Sequence, residues 1–443
     1  MQSAGTVRAV PFTRTSTLAW ISLDGRRSAT RWSPKKLLDP RHRVKRRPGL
    51  RARRSIRSRR IAEGGSLRGA RPTEARIDLA ALRANHALAA ARAGGRRVIA
   101  VVKTDAYGHG APAVARALEA AGCPAFAVMT LAEAAELRDA GVAAPLLALG
   151  GVHDAEEAEE AVARGVAVAL HAPAQAVLVA EAAGRRGRRA EVQVEVDTGM
   201  RRMGVRAEEA PELLQAVQQE PRLHLAGVYT HFACAEDPDP GMSRAQLRAF
   251  AEVLAAARAR GVRPGLVHVA NSAALLAAPD PAAAGPETDA VRPGLLLYGV
   301  SPAPHLAAPL RPVMTLRTRV AALRRVAAGE SVGYGATFRA ARPGLVATLP
   351  LGYGDGVPWS AANRGSALLR GRRVPFAGRV SMDFVTLDAG SGPVEVGDEV
   401  VLFGEDAGGA RLPVEEAAAA AGTLAYELLV RVGRRVPRIV VGD

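Results

Sequence analysis

The sequence predicts an α/β protein: a (β/α)8 barrel of the TIM type, followed by a mostly β C-terminal domain. Two observations carry this. Between residues 76 and 300, eight short apolar runs alternate with alanine-rich amphipathic stretches, the pattern of parallel strands joined by crossover helices. Beyond residue 308 the helical period gives way to apolar–polar alternation between Gly–Pro turns, which reads as strands without crossovers.

The eight runs are RVIAVVK (97–103), AFAVM (125–129), PLLALG (145–150), VAVAL (166–170), VQVEVD (192–197), AGVYTHF (226–232), GLVHVAN (265–271) and AVRPG (290–294). Segments such as APAVARALEAAG (111–122) and SRAQLRAFAEVLAAARARG (243–261) supply the helices between them. An open doubly wound sheet shows the same alternation; the count of eight favours the closed barrel. The predicted organisation is thus residues 1–72 as a disordered basic extension, 73–308 as the barrel and 309–443 as the β domain.

Charge is unevenly placed along the 443 residues. The whole net charge of +17 resides in residues 1–72, where 20 Lys and Arg face 3 Asp and Glu; the remainder is neutral. Such a segment buries too little apolar surface to fold. Its functional readings are a nucleic-acid or membrane-surface tail, or an Arg- and Ser-rich targeting peptide. Its plain reading is upstream sequence translated from an early start, so nucleic-acid binding rests on this tail alone. No apolar run is long enough to span a membrane. Only Cys123 and Cys234 occur, without metal-ligand spacing, so no metal is expected and a cytoplasmic location is.

In barrels the chemistry collects at the carboxyl ends of the strands. Lys103 ends the first run, Asp197 and Arg202 follow the fifth, His231 ends the sixth, Asn271 and Ser272 the seventh and Arg292 the eighth. Lys103 stands out because the chain has only four lysines, and from residue 73 onward it has 39 arginines and this one lysine. Arginine serves wherever positive charge suffices, but it cannot become a neutral amine that attacks a carbonyl. A lone lysine at a barrel mouth therefore suggests Schiff-base chemistry. Tyr107 with Gly108–His109–Gly110, and Arg292–Pro293–Gly294, add hydroxyl, guanidinium and exposed amides suited to a phosphate.

These residues lie within nine motifs: AVVKTDAYGHG (100–110), VDTGMRRMG (196–204), YTHFA (229–233), HVANSAA (268–274), VRPGLLLYG (291–299), VGYGATF (332–338), LPLGYGDG (349–356), GRVSMD (378–383) and RRVPR (434–438). In order and content the set resembles the alanine racemases, barrel enzymes of fold type III that depend on pyridoxal 5′-phosphate (PLP). The resemblance covers residues 74–443. It implies L-/D-alanine interconversion, D-alanine for peptidoglycan, and a homodimer in which each β domain completes the partner's site.

By the same resemblance Lys103 forms the Schiff base with PLP and serves as one catalytic base. Tyr334, from the other subunit, is the second base on the opposite face of the substrate. Tyr107, Ser272, Gly294, Leu295 and Tyr426 hold the phosphate; His231, Asn271 and Arg292 complete the cofactor site. Arg202 anchors the substrate carboxylate, Met382 and Asp383 match further substrate positions, and Tyr353 narrows the entrance. Two residues before DTG many family members carry a carbamylated lysine; here Glu195 stands in that place, an anion expected to support Arg202 directly. Alternatives are a broad-specificity PLP racemase, a barrel-type PLP decarboxylase, which the basic Arg292 disfavours, and a PLP binder without turnover.

Overall fold

The structure, a computed structural model, describes residues 71–277 and 287–442. The first strand is β1 (Glu74–Asp78), and the next are β2 (Arg97–Val101), β3 (Ala125–Val128), β4 (Leu146–Ala148), β5 (Val166–Leu170) and β6 (Ala190–Asp197). They are followed by the two-residue β7 (Val205–Arg206), β8 (Leu223–Tyr229), β9 (Leu266–His268) and β10 (Ala290–Val291). Apart from β1 and β7 these are the eight apolar runs, and they pair in parallel in the order β5-β4-β3-β2-β10-β9-β8-β6, closed by β5 on β6. The barrel strands are buried almost throughout, as a parallel sheet sheathed by helices requires.

The crossover helices begin where the sequence supplies caps. Asp78 accepts the amide of Ala81 at the start of Leu79–Arg92, and Asp154 that of Glu157 at the start of Ala155–Arg164. Thr130 and Glu133 form a capping box at Leu131–Asp139.

The β-rich remainder comprises β11 (Met314–Arg319), β12 (Ala322–Val326), the pair β13 (Ser331–Val332) and β14 (Phe338–Arg339), β15 (Gly344–Leu349), β16 (Ser366–Leu369) and β17 (Arg372–Pro375). It continues through β18 (Val385–Gly390), β19 (Glu399–Glu405), β20 (Arg411–Leu412) and β21 (Arg438–Val441). Its main sheet runs β17-β16-β19-β11-β1-β21, with β12-β15-β18 as a second. Two short helices, Val414–Ala421 and Ala425–Arg431, lie between β20 and β21.

One strand departs from the sequence expectation that 73–308 is barrel. β1 pairs antiparallel with β11 and parallel with β21, so the chain enters through the β-rich sheet. Its sequence EARID alternates buried Ala75 and Ile77 with exposed or half-buried neighbours, which suits a sheet with one covered face rather than a barrel stave. The expected disorder of residues 1–72 falls on residues 1–70, outside the described set. Arg71 is described, and its guanidinium makes two bonds to the buried carboxylate of Asp355, at 3.0 and 2.9 Å. Among the described residues no helix is long and apolar enough to cross a membrane.

Candidate active site

Lys103 follows β2 at the mouth of the barrel, and the backbone after it takes an unusual course. Thr104, Asp105, Ala106 and Tyr107 all have φ of 53–54°, four consecutive non-glycine residues in the left-handed region. That conformation costs roughly 1–2 kcal/mol per residue, and the surroundings hold it in place. Glu133, already in its capping box, accepts the amide of Thr104 at 2.6 Å. Asp105 accepts that of Ala111 at 2.7 Å. Nδ1 of His109 lies 2.9 Å from both the Ala106 and Tyr107 carbonyl oxygens, so it carries the ring proton and donates to them. The His109 ring stacks on Tyr298 with centroids 4.5 Å apart. Burial pushes the His109 imidazole down to about 4, against the raising effect of its two carbonyl bonds.

The turn delivers Lys103 and Tyr107 to one cavity of about 770 Å³, shared with Glu195, Arg202, His231, Asn271, Ser272, Arg292, Gly294, Leu295 and Tyr426. Eleven of the residues singled out from the sequence are thereby brought together. Burial lowers the Lys103 amine from its usual range; Arg202 lowers it further, while Glu133 and Glu195 oppose. The result is a lysine with more of the neutral form that a base or nucleophile needs.

Arg292 is buried and donates four bonds. Nη1 reaches His268 Nδ1 at 2.7 Å; Nη2 reaches the carbonyls of Thr230 (2.8 Å) and Val269 (3.1 Å) and His231 Nδ1 at 3.2 Å. Both imidazoles accept at Nδ1, so their protons sit on Nε2; His268 passes its own to Gln193 Oε1 at 2.7 Å. Burial, then the charge of Arg292, holds His231 neutral with a pKa of about 3 and pushes His268 far down as well.

At the far side of the cavity Ser272 Oγ accepts the amides of Gly294 (2.9 Å) and Leu296 (3.2 Å). A Cβ on residue 294 would lie 2.4 Å from the phenol oxygen of Tyr107, so only glycine lets the backbone come this close to the hydroxyl. The hydroxyls of Tyr107, Ser272 and Tyr426, gathered beside the closely approaching backbone of Gly294, fit a phosphate dianion, and Lys103 and Arg292 lie in the same cavity. The residues present therefore fit PLP.

Glu195 does not do what the sequence suggested. Its Oε2 accepts from Tyr229 Oη at 2.9 Å and from His171 Nε2 at 3.1 Å, while Arg202 makes no hydrogen bond or ion pair among the described residues and is exposed. A glutamate side chain, shorter than a carbamylated lysine, is held inside the barrel wall by those two partners. Burial raises its carboxyl, but His171, Tyr229 and Arg292 outweigh that and leave it below the usual carboxylate range.

Tyr334, Tyr353, Met382 and Asp383 do not line the Lys103 cavity. Tyr334 is 71 % exposed and Met382 54 %, and Tyr353 is exposed nearby on the β-rich part. Asp383 is bound by Arg435 Nη2 at 2.6 Å, and Arg435 Nε also reaches Asp355 at 3.2 Å. The sequence reading gave no role to Tyr229, His268, Gln193, His109 or Arg438. All but Gln193 lie inside quoted motifs, but nothing in their spacing marked them; His171 carried no signal at all.

A lysine, a buried arginine and a hydroxyl-lined cradle sharing one cavity at the carboxyl end of a (β/α)8 barrel fit a PLP-dependent enzyme of fold type III. Comparison with known proteins narrows this. Residues 77–302 match the family described as alanine racemase, N-terminal domain, and residues 313–440 the alanine racemase C-terminal domain. The chain is 42% identical over 382 residues to the alanine racemase of Sorangium cellulosum (strain So ce56), covering 83% of this chain and 98% of that one. Among solved structures it resembles alanine racemase from a D-cycloserine-producing Streptomyces lavendulae, with a TM-score of 0.80, 39% identity, and 84% and 98% of the two chains covered. The enzyme of Streptomyces coelicolor A3(2) gives a TM-score of 0.79 at 38% identity, with 84% and 98% covered. The chain belongs to the alanine racemase family.

Proposed function

We propose that the protein interconverts L- and D-alanine, with PLP held in the Lys103 cavity and the second base supplied by Tyr334 of a partner subunit. The observation that carries this is the division of the site: lysine, arginine and phosphate cradle share one cavity, while the tyrosine expected opposite Lys103 stands exposed outside it.

Bound there, PLP withdraws electrons from the substrate Cα and makes its proton removable. Lys103, with its amine lowered by burial, takes or returns that proton at Nζ on one face. Tyr334 does the same at its phenol oxygen on the other face, and Arg202 receives the substrate carboxylate. Arg292 would face the cofactor ring nitrogen, to which a guanidinium can donate but from which it can accept no proton; that would confine the chemistry to one proton removed and returned. Ser272, Tyr107 and Tyr426, with the backbone at Gly294 and Leu295, would hold the phosphate.

The homodimer has its own support. Tyr334, Tyr353, Trp359, Met382 and Phe384 are all exposed on the β-rich part, and large exposed apolar side chains gathered on one part of a chain mark an interface. D-alanine made this way would serve peptidoglycan.

The test is purified protein with PLP and L-alanine in deuterium oxide, followed by circular dichroism and proton NMR. Racemisation predicts decay of the optical signal to zero with deuterium at Cα. Exchange with handedness retained contradicts a two-base reaction, and no exchange contradicts alanine as substrate.

A further inference from the structure

Arg292 is 3% exposed, and its four hydrogen-bond partners, two imidazoles and two carbonyls, are all neutral. A buried guanidinium without a counter-charge is expensive, so the anion that balances it must act from further away. Tyr229 lies between Arg292 and an anion. The guanidinium carbon sits 4.8 Å from the centre of the Tyr229 ring, and the phenol at the edge of the same ring donates to Glu195. Donation to a carboxylate enriches the ring, and a richer ring attracts a cation on its face more strongly. The ring cannot tilt away, because His268 stacks against it at 4.8 Å and 16°.

The second partner of Glu195 is His171, whose Nε2 lies 3.1 Å from the same carboxylate oxygen and whose Nδ1 is buried with no partner among the described residues. Lys103 and Arg202 are the other cations of the cavity, and neither is hydrogen-bonded to Glu195.

We propose that Glu195 is the counter-charge of Arg292, relayed through Tyr229, and so a positioning residue for the arginine of the cofactor cavity rather than the direct support of Arg202. The inference rests on the reading that PLP occupies this cavity and is independent of which amino acid is turned over.

Paired neutralisation tests it. Urea midpoints are measured on holoenzyme for Glu195→Gln, Arg292→Gln, Arg202→Gln and the doubles Glu195→Gln/Arg292→Gln and Glu195→Gln/Arg202→Gln. Glu195→Gln and Arg292→Gln should each lower the midpoint and their double should lie above both singles, because the neutral pair leaves no unbalanced charge. The double with Arg202→Gln shows no such rescue. Additive losses in the Arg292 double, or rescue by Arg202→Gln instead, overturn the proposal. Should Arg292→Gln not accumulate as folded protein, the absorbance of PLP bound at Lys103 is titrated against pH. Glu195→Gln then moves the midpoint down, by about one pH unit, and Arg202→Gln moves it up. An unmoved midpoint in Glu195→Gln overturns the proposal. Wild-type protein that fails to bind PLP would refute the cofactor reading, a separate outcome.

Discussion

Nε of Arg438 donates to the carbonyl oxygen of Gly108 at 2.9 Å, so the last strand of the chain grips the turn that carries Lys103 and Tyr107. The same guanidinium caps the carbonyls of Val432, Gly433 and Val436. Gly108, with φ of 81°, lies so close to the helix Ala425–Arg431 that a Cβ would sit 2.5 Å from the Leu429 carbonyl. Arg438→Ala therefore leaves several half-buried carbonyls unpaired and is expected to cost about 2–4 kcal/mol in urea unfolding. Arg438→Lys recovers little, because a point ammonium cannot serve the same fork of carbonyls. Full recovery by lysine would contradict the assignment.

His109 makes stability depend on pH in a stated window. An unfolded histidine titrates near pH 6.5, and His109 in the fold at about 4. Between those values the unfolded state binds more protons, so stability is lost as pH falls from 6.5 toward 4 and is constant above that range. At pH 5 the loss from this one residue is about 2 kcal/mol relative to pH 7. His109→Asn keeps an N–H donor near the two carbonyls and does not titrate. Urea unfolding at both pH values should show a drop smaller by that amount in the variant; equal drops would refute the assignment.

The barrel was legible because parallel strands covered on both faces read as unbroken apolar runs, and Lys103 because lysine is so scarce here. β1 was not, since EARID alternates and its partners β11 and β21 lie hundreds of residues away. The left-handed turn was hidden for another reason. Thr104–Tyr107 contains no glycine, and its conformation is imposed by Glu133, Asp105 and His109 rather than by local preference. The position of Glu195 was legible but its partners were not: His171 and Tyr229 come from the ends of the two neighbouring strands, which no sequence spacing reveals. Tyr334, Tyr353, Met382 and Asp383 could be recognised by motif, but a motif does not say which copy of the chain they serve.

Gly294→Ala tests the cradle. The added methyl meets the Tyr107 hydroxyl, and one of the two must retreat. PLP binding, followed by equilibrium dialysis, is expected to weaken at least about tenfold with little change in the urea midpoint. Unchanged PLP affinity would show that the cofactor phosphate lies elsewhere.

Arg71 sets a boundary for truncation. Protein starting at residue 71 keeps the bonds to Asp355, a carboxylate only 1% exposed; protein starting at residue 73 loses them and leaves Asp355 with Arg435 as its one cation and the Gly352 amide as its other donor. The shorter protein is expected to melt about 2–4 °C lower. Equal melting temperatures would show that Arg435 and the Gly352 amide suffice.

The most direct test of the shared site is complementation between two inactive variants, Lys103→Ala and Tyr334→Phe. Each alone should lack racemase activity. Unfolded and refolded together in equal amounts, half of the dimers pair one of each, and each such dimer carries one site with both residues intact. Recovery of about a quarter of wild-type activity is expected. No recovery, with mixed dimers shown to form, would contradict it by placing Lys103 and Tyr334 of the same chain in one site.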